Sequence, residues 1–224
     1  MIRAALLALT ALSAPAWADP VVVELYTSQG CSSCPPADAL LARLAEEEDI
    51  IALALHVDYW DYIGWKDEFA DPAYTKRQKA YAHGRGERMI YTPQMIVAGT
   101  ESVVGTRPND VLRAIRAKEM DGPDLMASVT GDTIRIEAPA AELSEPLTVH
   151  LVRVHDGMSV AIHAGENAGH TIDYSHIVTG WEVLGTWDGT APLSVEAPID
   201  GEGARVVLLQ EAGPGAIHAA VRVE

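Results

Sequence analysis

Val21-Val22-Val23-Glu24-Leu25-Tyr26-Thr27-Ser28-Gln29-Gly30-Cys31-Ser32-Ser33-Cys34-Pro35-Pro36-Ala37-Asp38 is the stretch from which the rest of the chain is read. Val21 to Tyr26 is an apolar, β-branched run and predicts a strand. Beyond the cysteines, Leu40, Leu41 and Leu44 recur at helical spacing. Pro35 and Pro36 fall where a first helical turn has no backbone donor to lose, so Pro35 to Glu48 predicts a helix. The two cysteines are the only ones in the chain, and they lie between that strand and that helix. A helix N-terminus offers free N–H groups and partial positive charge, which favour a thiolate. Two intervening residues let a second thiol resolve a mixed disulfide formed at the first. The expectation is an exposed nucleophile at Cys31 and a more buried resolving thiol at Cys34.

Other readings of the pair stand beside the redox one. A structural disulfide closing so short a loop contributes about 2 kcal/mol in the chain-entropy model, against about 3 for a 15-residue loop. Structural zinc usually takes two further Cys or His ligands at tight spacing, and there is no second C-x-x-C. Haem attachment needs His after the second cysteine, where this chain has Pro35. His56, at the end of a later strand, is a candidate to join Cys31 and Cys34 in a soft copper or zinc site. The expectation is no resident metal and no cofactor.

Working outward, Ile51 to Val57 predicts a strand buried on both faces. Asp71 to His83 predicts a helix, Gln94–Ala98 and Glu101–Val104 a hairpin, and Asn109 the cap of a helix reaching Met120. Thr92-Pro93 immediately precedes Gln94, where proline is best tolerated in a strand. A cis bond there turns the Thr92 backbone toward the cysteine loop; a trans bond simply opens the strand. Near Asp121-Gly122-Pro123-Asp124 the texture changes. Seven strand-like segments follow: Thr133–Glu137, Leu147–Val154, Ser159–His163, Ile177–Leu184, Leu193–Ala197, Arg205–Glu211 and Ile217–Val223. The expected architecture is an α/β domain over residues 19–121 and an all-β, sandwich-like domain over residues 125–224.

The strand, the C-x-x-C at a helix start and the proline before the third strand resemble the thioredoxin superfamily across residues 19–121. The resemblance implies that Cys31 attacks, Cys34 resolves, and a cis Thr92–Pro93 bond binds the substrate backbone. It also implies a buried acid that shuttles a proton for the resolving cysteine; Glu24 stands one residue out of register for that role. The longer string from Glu24 to Asp38, with His56-Val57-Asp58-Tyr59-Trp60-Asp61, resembles a family of secreted bacterial thioredoxin-like proteins without an assigned activity. That likeness extends to Gly165-Glu166-Asn167-Ala168-Gly169 and Gly185-Thr186-Trp187. The dipeptide Ser32-Ser33 carries neither the histidine of strongly oxidising relatives nor the Gly-Pro of reducing ones.

At the N-terminus, Met1-Ile2-Arg3, an apolar run from Ala4 to Ala14 and Ala16-Trp17-Ala18 predict a cleaved signal peptide over residues 1–18, and hence a periplasmic or secreted protein. A formal charge of −16 repels nucleic acid and anionic membranes. No later segment has the roughly 20 apolar residues of a membrane span. Trp60, Trp65 and Phe69 are read as core or as the wall of a peptide groove. The function these features predict is thiol–disulfide exchange on exported proteins. The alternative is a copper-binding or scaffold protein.

Overall fold

The computed structural model describes residues 19–118 and 120–223; the expected signal segment lies outside them. Eleven strands and three α-helices are formed within that range, in the order β1 (Val21–Thr27), α1 (Pro35–Leu44), β2 (Ile50–His56), α2 (Pro72–Gly84), β3 (Gln94–Val97), β4 (Glu101–Val104), α3 (Pro108–Arg116), then β5 (Met126–Thr130), β6 (Thr133–Ala138), β7 (Leu147–Ala161), β8 (Thr171–Trp187), β9 (Leu193–Pro198), β10 (Ala204–Glu211) and β11 (Ile217–Arg222). The fold class is α/β. Helix α1 stops at Leu44, short of the predicted Glu48, as the apolar spacing gives way to Glu46-Glu47-Glu48. Pro108, not a cap at Asn109, leads α3.

All seven residues of β1 and all seven of β2 are buried. The odd residues Val21, Val23 and Leu25 pack with Ala37, Leu40 and Leu41 of α1 and with Val111 and Ile115 of α3. The even residues Val22 and Tyr26 join Ile51, Leu53 and Leu55 on the opposite face, against Val152, Val154, Val206, Leu208 and Ile217 from the second half of the chain.

Here the structure departs from the expected pair of separate domains. Eight strands form one mixed sheet in the order β11-β10-β7-β8-β2-β1-β3-β4, so four strands of the second half extend the sheet of the first. The sheet is continued by a single parallel pairing, Ala54 with Ile177. It curls until its far strand returns over the face formed by the even residues of β1. Ile217 N–H donates to Ala98 O (3.0 Å), and Arg222 donates to the carbonyls of Glu48 and Ile50. Only β5, β6 and β9 form a second, three-stranded sheet, closing a core around Ile134, Ile136 and Leu209. The predicted segments Leu147–Val154 and Ser159–His163 are one long strand, because polar His155-Asp156-Gly157 continues the pairing with β8 instead of breaking it. Strand β5 is short and largely exposed, with Met126 and Val129 facing solvent, and falls outside the predicted segments.

A buried polar network crosses the middle of the fold. Glu24, fully buried, accepts from Arg77 Nε (2.6 Å) and from Tyr81 Oη. Arg77 also donates to Gln210 Oε1 (2.8 Å), whose amide nitrogen donates to Tyr81 Oη (2.7 Å). The group ties β1, α2 and β10 together. Removing one partner of a buried ion pair leaves an uncompensated charge, at a cost of about 3–5 kcal/mol. Arg77→Met is expected to lower unfolding stability by that amount in urea titration, and Glu24→Gln added to it to restore part of the loss. Additive losses in the double variant would show that the two side chains are not coupled.

Candidate functional site

Strand β1 ends at Thr27, and the chain turns through Ser28–Gly30 before the cysteines. Cys31 N–H donates to Ser28 O (3.1 Å), and Cys34 N–H to Cys31 O (3.1 Å). Cys34 caps α1, receiving the N–H groups of Ala37 (2.8 Å) and Asp38 (3.1 Å) on its carbonyl. Cys31 and Cys34 form a disulfide with their Cα atoms 5.4 Å apart. Both are buried, 1% and 0% exposed, although Ser32 and Ser33 between them face solvent. The expected exposure of Cys31 is therefore corrected: strand, helix and later loops enclose both sulfurs.

A polar floor lies beneath the pair. Asp38 is four residues beyond Cys34, so the two side chains share one helix face. Burial pushes the Asp38 carboxyl up to about 7, against the downward pull of nearby His56. His56, in register with Thr27 on the neighbouring strand, is fully buried. Its Nδ1 lies 2.7 Å from Asp67 Oδ2, which also accepts Gln29 N–H (2.8 Å). A carboxylate at Nδ1 favours the tautomer with its proton there, leaving Nε2 as an acceptor. Phe69 and Tyr174 stand edge-on to the imidazole, each with ring centroids 5.1 Å away. The Thr27 hydroxyl hydrogen-bonds the Asp38 carboxyl, and among the described residues His56 Nε2 and Tyr174 Oη are buried without a hydrogen-bond partner.

Two loops complete the enclosure. The Thr92–Pro93 peptide is cis. Pro93 reaches the start of α1 because Gly105 lies between them: a Cβ there would be 2.9 Å from Ala37 Cβ and 3.2 Å from Pro93 Cβ. Trp60 Nε1 donates to Thr92 Oγ1 (2.8 Å), fixing that loop beside the cysteines. From the second half comes the turn joining β7 to β8. Asn167 Nδ2 donates to Gln29 O (2.8 Å) and Cys31 O (3.0 Å), and Glu166 accepts from Ser32 Oγ (2.7 Å).

A family model described as a protein of unknown function, DUF1223, matches residues 22–210, from β1 into β10. The chain belongs to the DUF1223 family. Its fold is similar to that of protein AGR_C_4864 from Agrobacterium tumefaciens, at 32% identity and a TM-score of 0.81, covering 92% of this chain and 94% of that one. HBP35 of Porphyromonas gingivalis shares the fold more distantly, at 16% identity and a TM-score of 0.58 over 92% of this chain and 75% of that one. No curated protein matches the chain in sequence.

Within this DUF1223 protein, the predicted residues Cys31 and Cys34 are joined as a disulfide, and Pro93 lies across Gly105 from Ala37, three residues beyond Cys34. Glu24 stands apart from them. Leu25 faces α1, so Glu24 points through the sheet to Arg77 and Tyr81, on the face away from the helix that carries Cys34. His56 does stand near the cysteines, yet among the described residues no group of three His, Cys, Asp or Glu side chains is placed to hold a metal ion. Trp65 and Phe69 pack against Val160, Ile162 and Tyr174, the core alternative of their two readings. In the sequence, Asp38 and Asn167 stand only within the strings that carry the family likeness, without a role, and Asp38 also stands four residues beyond Cys34; Asp67, 36 residues from Cys31, has no signal.

The raised Asp38 pKa has a measurable consequence. Between its ordinary value of 3.8 and about 7 the folded protein binds this proton more tightly than the unfolded chain. Stability is therefore lost as pH rises through that window. Asp38→Asn is expected to remove the loss, so its stability advantage over wild type grows between pH 4 and pH 8 by on the order of 4 kcal/mol. A difference that stays constant with pH in urea titrations would mean that the Asp38 carboxyl is not buried.

Proposed function

We propose that this DUF1223 protein is a thiol–disulfide oxidoreductase of thioredoxin type, exported to the periplasm, with Cys31–Cys34 as its exchanging disulfide. The observation that carries the reading is the placement of that disulfide on the first turn of α1, beside the cis Thr92–Pro93 bond and above ionisable Asp38 and His56. In the reducing half-reaction a partner thiolate attacks Cys31 Sγ, the Cys31–Cys34 bond breaks, and Cys34 leaves as a thiolate that takes up a proton. A second partner thiol then attacks the mixed disulfide and releases Cys31, so two partner thiols become one disulfide. The reverse sequence reduces a partner. Cys34 is the leaving and resolving sulfur because it stands at the partially positive N-terminal end of α1. Asp38, one helical turn further on, titrates where that proton must be exchanged at neutral pH. Thr92 and Pro93 belong to the reading as the segment that lines the partner backbone. Its partners are exported molecules carrying thiols or disulfides.

Equilibration of the mature protein in glutathione buffers tests the reading. A potential between about −120 and −270 mV, the span of known exchangers, is expected. Cys34→Ser is expected to accumulate a mixed disulfide at Cys31, and Cys31→Ser to accumulate far less. A potential below about −300 mV would identify a structural bond and remove the proposal.

A further inference from the structure

The turn between β7 and β8, residues 163–170, has no part in the exchange chemistry yet lies directly on the cysteine loop. It is stiffly built: Ile162 N–H donates to His170 O (2.8 Å) and Gly169 N–H to Ile162 O (2.8 Å). Gly165 (φ +77°) lets it press against the aromatic wall, where a Cβ would come within 3.3 Å of both Ile63 and Trp65. Asn167 is 5% exposed, and its two donated bonds go to backbone carbonyls of the cysteine loop, Gln29 and Cys31. Glu166 binds Ser32 twice, at Oγ (2.7 Å) and N–H (3.3 Å). These four bonds join segments more than 130 residues apart, and the sulfurs beneath are almost sealed.

Resting on the exchange reading, we propose that residues 163–170 are the specificity element of the site, latched by Asn167 and Glu166, which admits small thiols to Cys31 and bars thiols carried on folded protein surfaces. Exchange needs access to a sulfur. A small reagent needs only a local opening, whereas a protein surface must displace the whole turn and break all four bonds at once. The substrate class this selects is a low-molecular-weight thiol or disulfide, in place of the exported proteins expected from the sequence.

The test compares second-order rates of reduction by dithiothreitol and by a reduced thioredoxin, each of which supplies two electrons and is itself oxidised to a disulfide. The same two rates on an oxidised peptide of residues 27–38 supply the intrinsic ratio. In the mature wild-type protein the protein reductant is expected to be slowed at least 100-fold more than dithiothreitol. Asn167→Asp, which keeps shape but loses both donated bonds, should recover about tenfold or more of that gap. Glu166→Gln and Ser32→Ala, at the exposed end of the latch, should recover a smaller part and guard against a folding defect in the first variant. Equal slowing of both reductants, or a gap unchanged in all three variants, overturns the filter while leaving exchange intact. Failure of both reductants to reach equilibrium reduction in every variant overturns the exchange reading beneath it.

Discussion

Every side chain of β1 is buried, and a strand buried on both faces must be covered twice. Helices α1 and α3 cover the odd residues. No fourth helix is at hand among the described residues for the even ones, and β7, β8, β10 and β11 supply that cover with α2 by curling the sheet back on itself. The position of the disulfide follows from this double burial. The cysteines occupy the link from β1 to α1, at the rim where the two cores meet, and the β7–β8 turn arrives at the same rim. A sandwich standing apart from the first half would leave Val22, Tyr26 and Glu24 facing water.

The two faces of β1 treat buried acids differently. Glu24 is surrounded by donors, the Arg77 guanidinium and the Tyr81 hydroxyl, so its burial is compensated within the network. Asp38 has no such guanidinium among the groups acting on it; burial dominates and favours its neutral form. Such a difference separates a group that holds a fold together from one able to give and take a proton near pH 7. His56 falls between them, with one ring nitrogen committed to Asp67 and the other without a partner among the described residues.

The parts legible in the sequence were those with short-range grammar. Cys31-x-x-Cys34 before Pro35-Pro36 marks a helix start, the run Ile51–Val57 marks a doubly buried strand, and Thr92-Pro93 marks the edge of another. Glu24 was misread because strand geometry is a parity rule: seven residues or six before Cys31 decide which face a side chain enters, and Leu25 holds the position facing α1. Asp38 was hidden because an acid in a first turn is what a helix dipole asks for anyway. The long β7–β8 hairpin was hidden by its polar middle, paired by backbone alone. Asn167 serves loops whose nearness depends on the curl of the whole sheet, and local pattern carries no trace of that.

Ser32 and Ser33 take on a different meaning once the enclosure is known. In a site open to solvent, the dipeptide between the cysteines tunes thiolate stability directly, and its lack of a cation points to a mild redox couple. Here Ser32 is engaged by Glu166, which brings negative charge toward the cysteine loop from above while Asp38 lies one turn below Cys34. A thiolate formed between two carboxylates must offset their repulsion, and the opposing term is the N-terminal end of α1. The neutral form of Asp38 lessens that repulsion at the moment a thiolate appears. In the exchange reading, the affinity of this carboxyl for its proton therefore becomes part of the redox chemistry, and the same burial that raises its pKa is created by the strand that fixes the fold.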